Sequence, residues 1–379
     1  MPRTEWVDNV RGVAIALVVI GHTVQYGAQN DFYGVQNDFD FFSNPVFDVI
    51  YAFHMPLFAF VSGYLAFSSF ARRSGSTNVR SRVRSLLLPF VAWTLVGGTL
   101  LSIAIHLVLG DFSVMAVARD VVRSFVFPGA SLWFLWFLFV CYALVALTLW
   151  AQKYIRWAAF PLVVVLVFLI PLGGILSTYQ VQWLYPFFLA GYALHNWQGK
   201  LRRFESLATI VSLALFVSLI WLWDRDDSVY VSEMKPVNND ALQTAIAWGY
   251  RYLIALAGVI AVIGIVRLLS RRWSMPLLSR IGVQTLGIYA VQTYLVQALI
   301  VIPSPAKDPA LYFAVYVPLV SLAILTAAYL ATTLVLQRVR ILRVLFLGGP
   351  SATRLAQSAP VTATLNSPAA SASDPERGR

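Results

Sequence analysis

The chain has 379 residues, of which 59% are hydrophobic and only 12% charged, and its formal net charge is +11. A soluble domain carries about twice this charged fraction, so the composition excludes a soluble enzyme or binding module. The basic residues lie in short clusters between long apolar runs, which is typical of membrane-protein loops and argues against a nucleic-acid partner. A single cysteine, Cys141, excludes a disulfide framework.

The sequence therefore predicts an all-α fold, a polytopic membrane helix bundle with about ten transmembrane helices. The sixth candidate, "WLYPFFLAGYALHNW", is short for a full crossing. The ten spans cover approximately residues 10–27, 46–70, 85–109, 132–150, 157–174, 183–198, 205–223, 241–267, 283–302 and 310–337.

Charge in the loops predicts the orientation of this bundle. Arginine-rich loops alternate with acidic or neutral ones, which places both termini in the cytoplasm of a multi-pass protein of the cell (plasma or inner) membrane. Residues 1–347 are predicted to form one transmembrane domain, with an interfacial helix within 110–131. The small, polar and proline-containing residues 348–379 are predicted to be a disordered cytoplasmic tail.

The first span, "RGVAIALVVIGHTVQYG", carries Arg11 and His22. Eleven residues are three helical turns plus roughly 20°, so these side chains share a face, roughly 16 Å apart along the axis. Ionisable groups inside a span are candidates for function. The alternatives are a snorkelling anchor for Arg11 and a structural role for His22. Gly21 points about 100° away and is expected to serve packing.

The second span, "YAFHMPLFAFVSGYLAF", enters from the outer side and brings His54 to a similar depth. His54 is a candidate partner of His22, with core packing as the alternative. Pro56 removes a helical hydrogen bond, and Gly63 provides a small surface for close helix packing.

Three further features carry candidate binding residues. Arg72 and Arg73 begin the basic loop and suit the phosphates of a cytoplasmic cofactor, with plain topological charge as the alternative. Trp133, in "SLWFLWFLF", and Arg251, near the middle of a span with no acid within a turn, are candidates for substrate binding. The alternatives are an interfacial aromatic belt for Trp133 and a buried partner for Arg251. No histidine pair has metal-ligand spacing, so no metal is expected.

Several segments in order resemble the acyltransferase-3 family of integral membrane O-acyltransferases and are similar to fucose 4-O-acetylase-like acetyltransferases. They are "WVDNVRGVAIALVVIGH", "FHMPLFAFVSGYLAF", "RSRVRSLLLPFVAW", "LWFLWFL", "YPFFLAGYAL" and "LGIYAVQTYLV". Two positions depart from the family pattern. Gln292 follows Tyr289 by three residues where histidine is frequent, and Ser131 stands where histidine or proline is common.

The resemblance implies transfer of an acyl group, usually acetyl, from cytoplasmic acyl-CoA to a hydroxyl of a sugar, surface glycan or small secreted molecule. The donor, acetyl-CoA or another acyl-CoA, would be held by Arg11 with Arg72 and Arg73. His22 would act as general base or transient acyl carrier, and His54 would orient it or polarise the carbonyl. The alternatives are a membrane transporter or flippase of a glycan or small anionic substrate, and a scaffold in a glycan-export complex.

Overall fold

A computed structural model describes residues 5–28, 44–128, 132–171, 173–302, 304–305 and 308–349. No β-strand occurs among them, so the all-α fold class is confirmed. The predicted tail from residue 350 onward lies outside the described residues. The helices are α1 (Glu5–Ala28), α2 (Pro45–Arg72), α3 (Gly75–Arg82), α4 (Leu88–Leu109), α5 (Val114–Val126), α6 (Trp133–Ile155), α7 (Ala159–Phe168), α8 (Thr178–Leu201), α9 (Glu205–Leu219), α10 (Val229–Ser232), α11 (Ala241–Arg272), α12 (Pro276–Val283), α13 (Thr285–Gln297), α14 (Pro309–Leu311), α15 (Val317–Leu330) and α16 (Arg340–Leu347).

The membrane bundle is confirmed, whereas the count of ten spans is not. Within the described residues, seven helices are long and apolar enough to cross a membrane, or eight if α12 and the bent segment Thr285–Ile300 form one span. Two predicted spans fall in the single apolar stretch Trp133–Phe168. Arg156, with φ 51°, separates α6 from α7 within that stretch. The short sixth candidate lies in α8, which is not among the seven.

Helices α1 and α2 form the centre of the bundle, and their ends follow from local sequence. Glu5 and Asp8 occupy the first turn of α1, where carboxylates favour the positive end of the helix dipole. Asn44 caps α2 by accepting hydrogen bonds from two backbone N–H groups, and Pro45 starts the helix. The helix α2 then continues without interruption through Pro56.

The predicted close packing at Gly63 is confirmed at the contact between α2 and α8. A Cβ atom on Gly63 would lie 1.9 Å from the carbonyl oxygen of Phe188, and one on Gly191 would lie 1.9 Å from that of Phe60. Each helix therefore presents a glycine to the backbone of the other, and neither position accepts a side chain.

A buried asparagine fixes the corner between α2 and α3. The Asn78 side-chain amide donates to the carbonyl oxygens of Ser69, Arg73 and Ser74, and its oxygen accepts from the Ser69 hydroxyl. The backbone of the basic loop is therefore an ordered turn at this corner.

The helix predicted within residues 110–131 is α5, which is tied to the end of α4 by Asp120. The Asp120 carboxylate accepts a hydrogen bond from Ser102 at 2.7 Å and lies 3.1 Å from Nε2 of His106. His106 also pairs with Asp111, at 2.8 Å. This histidine therefore holds a helix–helix corner.

Candidate active site

Two neighbouring cavities lie inside the bundle. The arginine cavity, about 240 Å³, is lined by Arg11, Val18, Met55, Phe58, Ser62, Arg82, Ser85, Leu86, Phe134, Leu135, Leu138, Thr285, Leu286, Tyr289 and Leu347. The histidine cavity, about 190 Å³, is lined by His22, Gln25, Tyr26, Phe47, Tyr51, His54, Met55, Trp133, Tyr179, Tyr230 and Tyr289. Met55 and Tyr289 line both cavities, so the cavities meet at these two side chains.

Hydrogen bonds around Gln292 determine which nitrogen of His22 carries the proton. The Thr293 hydroxyl donates to the carbonyl oxygen of Tyr289 at 2.8 Å, so its oxygen is free to accept. The Gln292 amide nitrogen donates to that hydroxyl oxygen and to the same carbonyl, at 3.2 and 3.3 Å. Its amide oxygen therefore faces His22 Nδ1, 3.2 Å away, and accepts from it. Nε2 of His22 consequently keeps its lone pair.

His54 is set in the same tautomer by its own helix. Its Nδ1 donates to the carbonyl oxygen of Ile50, one turn earlier, at 2.8 Å. The carbonyl cannot donate, so Nδ1 carries the proton and Nε2 keeps a lone pair. Within the described part of the chain, no hydrogen bond is made by Nε2 of either His22 or His54. The histidine cavity thus contains two imidazoles whose second nitrogens are bases.

Tyrosines supply hydrogen-bond donors and aromatic faces to the histidine cavity. The Tyr51 hydroxyl donates to Gln25 at 2.9 Å, and its ring lies 4.7 Å from that of His54. The Tyr230 ring packs edge-on against Tyr51 at 5.5 Å. Burial raises the pKa of Tyr230 well above its usual range, so this hydroxyl stays protonated. Its oxygen is buried and makes no hydrogen bond to the described residues.

The arginine cavity has two cations in its wall. An Arg11 guanidinium nitrogen lies 3.5 Å from a carboxylate oxygen of Asp8, which is buried one turn earlier on α1. Arg82 donates to the Ser69 hydroxyl at 3.3 Å and stacks over the Tyr142 ring, 4.3 Å from its centre. Both guanidinium groups are therefore held in place beside the cavity, where they can bind an anionic ligand.

Of the three predicted phosphate-binding residues, Arg11 lines a cavity, and Arg72 and Arg73 do not. Arg72 is the last residue of α2 and Arg73 follows it, and both side chains are exposed and line neither cavity. Arg82, ten residues later, reaches the cavity because the Asn78 corner turns α3 back toward the bundle. Arg82, at the end of the basic loop, therefore lines the arginine cavity, whereas Arg72 and Arg73, at its beginning, do not.

Of the two predicted substrate-binding residues, one lines a cavity and the other does not. Trp133 lies in the histidine cavity, with its ring 6.3 Å from that of Tyr230. Arg251 lines neither cavity; it donates to the carbonyl oxygens of Asp226 and Glu233, at 2.7 and 3.2 Å.

Arg251 instead has buried partners in the segment before α11. Its Nε lies 3.9 Å from Asp227. Burial raises the pKa of this carboxyl above its usual value, and the nearby arginine offsets only part of that rise. Because these contacts hold residues 226–233 in place, Arg251 fixes the segment that carries Tyr230 into the cavity.

Comparison with known proteins identifies the family of the chain. The model of an acyltransferase domain matches residues 4–333. The chain belongs to the acyltransferase-3 family. This confirms the resemblance found in the sequence and the enzyme class, an acyltransferase. The matched residues include both histidines and both arginines of the two cavities.

Two curated relatives are nodulation proteins named NolL. The chain is 28% identical to the one from Mesorhizobium japonicum over 230 residues, which are 59% of this chain and 57% of the relative. It is 28% identical to the one from Sinorhizobium fredii over 229 residues, which are 59% of this chain and 58% of the relative. The chain thus matches less than two thirds of either relative. No solved structure matches it significantly.

Sequence reasoning did not single out Arg82, Tyr51, Tyr230 or Tyr289 as cavity-lining residues, and it did not predict the contact between Gln292 and His22. The one available signal was the departure at Gln292, because the residue that breaks the family pattern contacts His22. Tyr51 and Tyr230 had no signal, since aromatic residues are frequent throughout the chain.

Proposed function

We propose that the protein is a membrane O-acyltransferase that moves an acetyl group from cytoplasmic acyl-CoA to a hydroxyl of a carbohydrate acceptor. The observation that carries this proposal is the pair of adjoining cavities, one with two arginines and one with two basic imidazole nitrogens. The anionic CoA binds at the arginine cavity, which the charge bias of the loops assigns to the cytoplasmic side. Its thioester reaches the junction, and the acceptor occupies the histidine cavity.

In the proposed reaction, Nε2 of His22 takes the proton of the acceptor hydroxyl as its oxygen attacks the thioester carbon. The C–O bond forms and the carbonyl oxygen becomes an oxyanion. Collapse of this intermediate breaks the C–S bond, and the departing CoA thiolate takes the proton from His22. Gln292 keeps Nδ1 of His22 protonated throughout, and His54 offers a second acceptor for hydroxyl protons.

The lining of the histidine cavity supports a carbohydrate acceptor. Sugars combine hydroxyl groups with apolar C–H faces, and the cavity offers seven aromatic rings beside imidazole and amide groups. Its volume, about 190 Å³, lies below the range of about 300–1,000 Å³ for ordinary ligand pockets. We therefore expect the reacting unit of the acceptor, and not an extended glycan, to enter it.

The test uses purified full-length protein with acetyl-CoA labelled in the acetyl group and a panel of sugars. We expect release of CoA that depends on the acceptor, with equal transfer of label to the sugar. Inverted membrane vesicles should use added acetyl-CoA, and right-side-out vesicles should not. If no CoA is released while vesicles accumulate the sugar, the transporter alternative replaces this proposal.

Arg82 should contribute more to acyl-CoA binding than Arg72 and Arg73. Arg82→Gln keeps a polar stem near Ser69 but removes the charge, so we expect KM for acyl-CoA to rise with little change in kcat. A lost charge-assisted contact of about 1.5–3 kcal/mol corresponds to roughly 10- to 150-fold. The double variant Arg72→Ala/Arg73→Ala, which removes more charge, is the control. If KM for acyl-CoA rises more in this control than in Arg82→Gln, Arg72 and Arg73 are the better candidates for the phosphate contact.

Removing the amide of Gln292 should weaken the orientation of His22 without removing the base. We expect Gln292→Leu to lower kcat by roughly 2- to 13-fold, the equivalent of one neutral hydrogen bond of about 0.5–1.5 kcal/mol. Gln292→Glu retains an acceptor for Nδ1–H and should recover more activity than Gln292→Leu. Equal kcat values for both variants and the wild type would contradict this positioning.

A further inference from the structure

Tyr289 occupies a position that the proposed reaction has not yet used. It is the polar side chain shared by both cavities, and its partner at the junction, Met55, is apolar. The residue is 7% exposed. Any thioester that enters from the arginine cavity and meets an acceptor in the histidine cavity must place its carbonyl beside this side chain.

The Tyr289 hydroxyl is arranged to donate. Its oxygen accepts a hydrogen bond from the backbone N–H of Phe134, at 3.4 Å. Its own proton has no acceptor among the described residues. The incoming N–H strengthens the hydroxyl as a donor, because electron density is drawn from the oxygen.

The donor to Tyr289 belongs to the first turn of α6. Phe134 is the second residue of this 23-residue helix, whose N-terminal N–H groups carry the positive end of the helix dipole. Trp133 lines the histidine cavity and Phe134 the arginine cavity, so the start of α6 borders the same junction. Negative charge that develops at the junction is therefore favoured by both the hydroxyl and the helix terminus.

We infer that Tyr289 is a catalytic residue whose hydroxyl donates a hydrogen bond to the carbonyl oxygen of the acyl donor and stabilises the oxyanion. The inference rests on the proposed acyl transfer. The proton stays on Tyr289 throughout, since the proton of the acceptor passes to His22 and then to the CoA thiolate. A donor aimed at the developing oxyanion acts mainly on the transition state and so on kcat.

The first test is Tyr289→Phe, which removes the hydroxyl alone. We expect kcat to fall by about 10²–10³-fold with KM for acetyl-CoA nearly unchanged. Tyr294→Phe is the matched control on the same helix, because Tyr294 lines neither cavity. This variant also loses a hydrogen bond, the 2.8 Å contact of the hydroxyl with the carbonyl oxygen of Trp93. We expect Tyr294→Phe to keep wild-type kcat per mole of folded protein.

A second variant keeps the inference testable if Tyr289→Phe does not fold. With 3-fluorotyrosine at position 289, the ring and hydroxyl remain but the phenol is more acidic and a stronger donor. At a pH that leaves this phenol protonated, we expect kcat above the wild-type value, which a purely structural hydroxyl would not produce.

The outcomes separate this inference from the reaction it assumes. Suppose that the wild-type protein transfers acetyl groups but kcat is unchanged in Tyr289→Phe or in the fluorotyrosine protein. That result would overturn the inference and leave the proposed function standing. A Tyr289→Phe variant altered only in KM would also overturn it. Absence of acetyl transfer by the wild-type protein would overturn both.

Discussion

His22→Ala should reduce acetyl transfer by about 10²–10⁴-fold while the protein still inserts and folds. This is the range that a positioned general base contributes, and Nε2 of His22 is the base that Gln292 leaves unprotonated. The measurement is label transferred per mole of folded protein. If His22 instead carries the acyl group, the loss should be complete, and the wild type should release one equivalent of CoA before acceptor is added.

The matched control for this variant is His106→Ala. It also removes a histidine from a membrane helix, together with contacts to Asp111 and Asp120, but His106 lines neither cavity. We expect His106→Ala to lower stability more than activity. Substantial transfer by folded His22→Ala would remove this histidine from the mechanism.

The fold class and the shared face of Arg11 and His22 could be predicted from the sequence because both depend on local patterns. Long apolar runs predict membrane helices from composition alone. The 3.6-residue period placed Arg11 and His22 on one face of α1, and each of them lines a cavity. The number of spans was less predictable. A break such as the positive φ of Arg156 leaves an apolar stretch continuous in composition.

Contacts distant in sequence account for what the sequence did not predict. Gln292 lies 270 positions from His22, and no periodicity indicates that α13 packs beside α1. Arg251 has no acid within a helical turn, yet its partners lie 18 and 25 residues earlier in a folded segment. The basic loop holds several arginines, and Arg82 lines the arginine cavity because the corner at Asn78 turns α3 toward the bundle.

Gly21 shows the same limitation at short range. Its position about 100° from His22 predicted a packing role separate from the chemistry. A Cβ atom there would lie 2.7 Å from the ring of Tyr51, which lines the histidine cavity. The face of α1 that lies about 100° from His22 therefore contacts the histidine cavity through Tyr51 of the neighbouring helix, and Gly21→Ala is not a neutral control.

Arg11→Ala should nearly abolish transfer by weakening the hold on the anionic donor. Losing one partner of a partly buried charge pair costs about 2–5 kcal/mol, or roughly 30- to 5,000-fold in kcat/KM. Arg11→Lys should recover little, because an ammonium group cannot reproduce the two-pronged contact of guanidinium with phosphate or carbonyl oxygens. Both variants are measured by kcat/KM for acetyl-CoA per mole of folded protein.

The ion pair with Asp8 allows the stability effect of Arg11 to be separated from its chemistry. Arg11→Ala leaves the buried Asp8 carboxylate without this cation, 3.5 Å away in the wild type, so the single variant should also unfold more easily. Asp8→Asn/Arg11→Ala removes the opposing charge as well and should regain stability in a thermal melt. We expect the double variant to remain as inactive as Arg11→Ala, because the donor still lacks its arginine. If activity returned together with stability, Arg11 would serve α1 and not the acyl donor.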